Sequence, residues 1–150
     1  MDRECFSFMT CEQLANWVCC AGVYYAQTRD NDFLVRNRGI LEDCLRSLQH
    51  RDHPDPRKRT GIMKFESSFT QGGGEITTYD SLDHSLGQAR HNIYLASKCW
   101  ASYLALEFMF AKLGVADQAD ACAKAARMCA HSLVGRRQLH LPISDNYIYP

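Results

Sequence analysis

Three features of this sequence predict an all-α fold built from helical hairpins. Apolar residues recur at the spacing of a 3.6-residue helix in four long stretches. Capping residues or glycines mark most of their ends. The four stretches also alternate in character. The first and third are apolar around nearly their whole circumference, whereas the second and fourth carry a single apolar stripe. This order predicts two concentric layers, with buried inner helices and amphipathic outer ones. An ordinary four-helix bundle is the alternative, but there each helix would carry one stripe.

The first helix is expected from Thr10, a cap with Gln13 three residues on, to about Gln27. Leu14, Trp17, Val18, Cys19, Cys20, Val23, Tyr24 and Tyr25 surround it, so it should be buried on most sides. Asp30 or Asn31 can cap the second helix, which runs to about His50. Phe33, Leu34, Ile40, Leu41, Cys44, Leu45 and Leu48 form its stripe, opposite Arg36, Glu42, Asp43 and Arg46. The third is expected over about Ser85 to Leu113 and ends at Gly114. The fourth runs over about Ala116 to Val134, with a stripe of Ala119, Cys122, Ala126, Cys129 and Leu133. Gly135 closes it, and residues 135–150 read as an irregular tail.

Between the hairpins, Arg51 to Asp83 is too long for a passive connection. Its first part, RDHPDPRKRTG, is polar and punctuated by proline, and reads as a solvated excursion. Its second part carries Phe65, Phe69, Ile76 and Tyr79, which suits an anchored segment better than a disordered one.

Composition excludes several classes. Seventeen basic and seventeen acidic residues balance, giving no reason to expect a nucleic-acid or anionic-membrane partner. The start, MDRECFSF, lacks the regions of a signal peptide. The most hydrophobic window, Ile93 to Leu113, is interrupted by Lys98, Glu107 and Lys112, so a membrane span is not expected. Eight cysteines without a C-x-x-C or a zinc-type spacing read as free, mostly buried thiols in a reducing cytosol. No cofactor or metal is expected.

The stretch SSFTQGGGEITTYDSLDHSLGQAR, residues 67–90, draws the functional reading. Three glycines, Gly72 to Gly74, allow close backbone approach to a ligand. Thr77, Thr78, Tyr79 and Ser81 offer hydroxyls, and Asp80 and Asp83 offer carboxylates at the entrance of an inner helix. These suit a sugar-handling acid site. Each residue also has a plainer role: Asp83 as an N-cap, Tyr79 as a loop anchor.

EITTYDSLDHSLGQARHNIYLASKCWASYLALE resembles the central signature of glycoside hydrolase family 52, the β-xylosidases. FMTCEQLANWV and RDHPDP resemble the run into that signature, so the similarity spans about Phe6 to Ser132. The resemblance implies an (α/α)6 barrel and retaining hydrolysis of β-xylosides by a glutamate nucleophile and an aspartate acid/base. It assigns the acid/base to Asp80; Thr78, Tyr79 and Asp83 are candidates for substrate contact from their own chemistry and their place in the segment. Family members are several times longer, and their nucleophile precedes the stretch matched here. None of Glu4, Glu12, Glu42, Glu66, Glu75 or Glu107 lies in a matching context.

The expectation is therefore a cytoplasmic internal fragment of the catalytic domain, residues 1–150. It would carry two of the barrel's hairpins and act on a xylo-oligosaccharide or aryl β-xyloside only when the barrel is complete. Exposed inner-helix surface would favour self-association. The competing reading is a non-catalytic helical module that binds a partner or a sugar.

Overall fold

A computed structural model describes residues 10–63 and 93–138, and within them the chain is helical. Helix α1 spans Thr10–Thr28, α2 spans Asn31–Asp52, α3 spans Ile93–Lys112 and α4 spans Ala116–Gln138. A single 3-10 turn, Pro56–Lys58, is the remaining element, and there is no strand among the described residues. The expected all-α hairpins are present.

The first hairpin turns without a glycine. Arg29 takes the left-handed conformation, φ 57°, and its N–H bonds Tyr25 O at 2.9 Å, closing the end of α1. That conformation costs a non-glycine residue about 1–2 kcal/mol. Several side-chain contacts offset it. Arg29 stands 5.6 Å over the Phe108 ring, the Tyr24 hydroxyl donates to Asp30 Oδ2, and the Tyr25 hydroxyl donates to Asn31 Oδ1. Asp30 caps α2 by accepting from Phe33 N at 2.9 Å. That backbone bond, then the Tyr24 hydroxyl, holds its carboxyl below the usual value.

The second hairpin closes on Gly114, as expected. Its φ is +73°, Gly114 N bonds Ala111 O, and Val115 N reaches back to Phe110 O at 3.0 Å. This is the Schellman pattern, which needs a left-handed residue at that point. Helix α4 departs from expectation. It does not stop at Gly135 but continues to Gln138, so residues 135–138 are helical rather than irregular. A glycine inside a helix costs about 1 kcal/mol, which neighbouring turns can absorb. The rest of the expected tail, 139–150, lies outside the described residues, as does the expected start of the third helix at Ser85.

Layering follows from which helices touch. Helix α3 packs against both α4 and α1, whereas α1 and α4 share no substantial contact. The α1–α3 register fixes their relative direction. Lys98 meets Glu12 and Asn16, Ser102 meets Ala15, a Cβ on Gly22 would lie 2.8 Å from Ala105, and Tyr25 packs its ring on Phe108. Residue numbers rise together along both helices, so α1 and α3 run parallel and side by side. A square up-and-down bundle would hold its first and third helices across a diagonal, and this arrangement does not.

One face of the α1–α3 pair is covered. Val18, Ala21, Tyr25, Leu95, Cys99, Tyr103, Leu106 and Phe110 join Leu34, Leu41, Leu45 and Leu48 of α2 and Cys122, Ala126 and Cys129 of α4 in one core. The other face is bare. Trp17 is 39 % exposed, Val23 63 %, Ile93 74 % and Trp100 41 %, with Tyr24 and Leu104 alongside. The expectation that α1 and α3 are buried on most sides is thus met on one face only. On α2, Ile40 also points outward, because it falls off the Leu34–Leu41–Leu45–Leu48 stripe.

The connection after α2 corrects a second expectation. Far from being a wholly solvated excursion, it folds back over the core. Asp52 is buried and accepts from Thr60 N at 2.8 Å and Gly61 N at 2.6 Å. Arg59 Nε donates to His53 O, and Ser132 of α4 donates to Thr60 O. Ile62 and Met63 enter the core. Only the crest, Pro54 and Pro56 to Lys58, faces water.

Candidate functional site

The sequence-expected site residues, Thr78, Tyr79, Asp80 and Asp83, all lie outside the described residues. What the structure gives is the ground on which that segment stands. Its departure point, Met63, is buried, with its backbone N–H directed at the Cys99 thiol. Cys99 in turn neighbours Cys11, in the first turn of α1. Its return point, Ile93, opens the described part of α3. Met63 and Ile93, the described residues that flank it, therefore lie by the first described turns of the parallel helices α1 and α3.

At that rim sits a polar cluster. Glu12 Oε1 accepts from Lys98 Nζ at 2.8 Å and from the Tyr94 hydroxyl. Lys98 also donates to Asn16 Oδ1 at 2.8 Å and lies 4.3 Å from the centre of the Tyr94 ring. Partial burial works against the ammonium, yet the Glu12 and Tyr94 hydrogen bonds prevail and hold Lys98 above its ordinary pKa. The cation is fixed in place and stays charged. Such a set can orient hydroxyl groups or steady a loop above it, whereas Glu12, already engaged by two donors, is poorly disposed to act as a nucleophile.

Of the other described glutamates, Glu42 is paired with Arg38 on the outer helix α2, and Glu107 neighbours Cys122 between α3 and α4. Neither lies beside Glu12. Sequence reading missed the Glu12–Tyr94–Lys98 cluster, although it held a signal: Glu12 is the one charged residue of α1, and Lys98 is one of three on the largely apolar α3.

Beneath the rim the chemistry is inert. Cys11, Cys44, Cys99, Cys122 and Cys129 are buried free thiols. The neighbouring Cys11 thiol, with burial, pushes Cys99 well above its usual value. Burial raises Cys122 and Cys129 to about 12 and Cys44 to about 11. Cys129 donates to Ala96 O at 3.2 Å. Protonated thiols of this kind are neither nucleophiles nor metal ligands at neutral pH. Among the described residues no group of three or more His, Cys, Asp or Glu is disposed to hold a metal ion, and no helix is long and apolar enough to cross a membrane.

Residues 1–24 match the model of glycosyl hydrolase family 52. A β-xylosidase of Geobacillus stearothermophilus is 55 % identical over 130 residues, covering 87 % of this chain. Family 52 sequence is present at residues 1–24, and most of the chain is similar to a β-xylosidase. A second β-xylosidase of the same organism is 41 % identical over 107 residues, or 71 % of this chain. The chain spans only 18 % and 17 % of those two relatives' lengths. The matched residues reach into α1 as far as Tyr24, and so include Glu12 and Asn16 of the rim.

Proposed function

We propose that this chain supplies the acid/base segment of a retaining β-xylosidase, with Asp80 as the acid/base. The observation that carries the reading is the 55 % identity to a β-xylosidase over 130 of the residues present. The position of Met63 and Ile93 by the first described turns of two parallel helices supports it, because loops entering inner helices converge on the centre of a layered helical ring. On this reading residues 1–150 are part of an (α/α)6 catalytic domain.

Retaining hydrolysis needs two carboxyl groups about 5 Å apart, one on each side of the scissile bond. Asp80, protonated, donates to the leaving oxygen while a glutamate from another part of the protein attacks the anomeric carbon. Asp80, now ionised, then takes a proton from the water that releases the sugar. Burial near a second carboxylate raises an aspartate's pKa far enough for that cycle to run near neutral pH. Thr78 and Tyr79 bond the sugar hydroxyls, and Asp83 holds the start of the third helix beside it. The substrate is a xylo-oligosaccharide or an aryl β-xyloside.

Two measurements test this. The 150-residue chain alone should not hydrolyse an aryl β-xyloside. Turnover that persists through purification and vanishes with Asp80→Asn would mean that one of its own glutamates is the nucleophile. In a full-length relative carrying this segment, Asp80→Asn should slow cleavage severely for poor leaving groups and far less for activated ones, with little change in Tm. Asp83→Ala should cost about 0.5–2 kcal/mol of stability as a lost N-cap. Its effect on rate should depend little on the leaving group. The reverse pattern would exchange the two roles.

A further inference from the structure

The outer layer carries a feature that xyloside hydrolysis does not use. Lys124, Arg127, Met128, His131 and Ser132 share one face of α4, at the i, i+3, i+4, i+7 and i+8 positions of a helix. The folded-back turn at Arg59 and Thr60 lies against that face, and together they enclose an open groove of about 380 Å³. Helix α3 stands between this groove and α1, which bears Glu12 of the rim cluster.

Its charge is one-sided. Arg59, Lys124 and Arg127 bring positive charge, His131 stands beside them, and no carboxylate is among the described residues lining the groove, although Asp55 lies near Arg59. The chain as a whole balances seventeen basic against seventeen acidic residues, so the groove concentrates one sign in an otherwise neutral protein. Elsewhere arginines are matched locally: Arg38 with Glu42, Arg57 with Asp55. Lys124, Arg127 and His131 take part in no ion pair among the described residues. The groove is also held in shape. Arg59 Nε is fixed on His53 O, and the Ser132–Thr60 bond at 2.8 Å ties the turn to the helix.

We propose that this groove binds a phosphate group, either free phosphate or the phosphate of a small ester. Three cationic side chains in one groove suit a compact dianion better than a monocarboxylate, and arginine presents paired donors to phosphate oxygens. Met128 and the aliphatic stems of Lys124 and Arg127 provide an apolar wall for whatever the phosphate is attached to. This site is independent of the hydrolase reading and stands if that reading fails.

The test is a titration of the 150-residue chain with inorganic phosphate, phenyl phosphate and acetate at constant ionic strength, balanced with chloride. Backbone amide shifts and Tm are followed together. Phosphate should bind saturably, shift amides around Thr60, Arg127 and His131, and raise Tm as any native-state ligand does. Arg127→Gln and Lys124→Gln, both at exposed positions, should leave the fold intact and each weaken binding about tenfold. Tighter binding of phenyl phosphate than of phosphate identifies an ester as the natural class, and equal binding identifies free phosphate. The proposal is overturned if no phosphate species saturates, if acetate binds as well as phosphate, or if both variants bind like the parent.

Discussion

A single carboxylate, Asp52, holds the turn that follows α2. It is buried and accepts two successive backbone amides, Thr60 and Gly61, so its loss would leave both donors unsatisfied at the edge of the core. Asp52→Ala should cost about 1.5–3 kcal/mol, the range for hydrogen bonds to a charged group, measured by urea unfolding. Asp52→Asn keeps one acceptor and should cost less. Equal losses for the two variants would mean that packing, not hydrogen bonding, gives the residue its weight. None of this was legible in RDHPDPRKRTG, where every polar residue looks solvated. Asp52 turns inward because of partners eight and nine residues later, placed by contact with α4. The Asp30 cap was legible, because capping needs only a neighbour three residues away. Lys98 shows how a residue read for one purpose serves another: as a break in a hydrophobic window it argued against a membrane span, and its pairing with Glu12 emerged only from the α1–α3 register. Its raised pKa has a stated consequence. Stability from the Lys98–Glu12 pair is fully present below the ordinary lysine value and is lost as pH rises through the higher folded value. Lys98→Met should therefore remove part of the fall in stability on the alkaline side.

At the scale of elements, two glycines with positive φ separate conformational need from crowding. Gly114 ends α3 at φ +73°, and a Cβ there would meet nothing within 4 Å. Gly61 has φ +84°, and its Cβ would fall 2.5 Å from the Cys129 backbone nitrogen. Gly114→Ala should thus cost about 1–2 kcal/mol, the left-handed penalty alone. Gly61→Ala should cost clearly more, because backbone must move from backbone and the turn must lift off α4. Chemical denaturation of both variants checks the order, and equal losses would show that α4 yields easily. The sequence marked Gly114 as a helix end, since an apolar pattern stops there. It could not mark Gly61, whose constraint comes from a helix about seventy residues away. The same logic explains Gly135, where a local stop signal lost to a helix that continues to Gln138. It also explains Arg29, where a turn formed with no glycine because two tyrosines and Phe108 hold it.

On the scale of the whole molecule, the apolar surface is unevenly distributed. The α1–α3 pair is covered by α2, α4 and the folded-back turn on one side. On the other it shows Trp17, Val23, Tyr24, Ile93, Trp100 and Leu104 to water. Wheel positions put these residues on a common side of two parallel helices, so they form one surface rather than scattered exceptions. Contiguous apolar patches of this kind rarely stay bare in soluble proteins. The composition that gave rise to them was legible as helices apolar all round. Which half would be covered was not, because that depends on how many hairpins are packed together. The 150-residue chain should therefore self-associate, with two copies burying this face against each other. Sedimentation over a range of concentrations should show a monomer–oligomer equilibrium. Trp17→Glu with Trp100→Glu should shift it towards monomer while far-UV circular dichroism stays unchanged, since neither side chain contributes to the described core. Glutamate at two positions on the outer face of α4, Lys124 and Arg127, serves as the control, because it alters charge without touching the apolar side. If the control variant dissociates the oligomer and the tryptophan variant does not, association runs through the outer layer and the bare face is not the interface. A strictly monomeric parent at all concentrations would mean that residues outside the described set cover it.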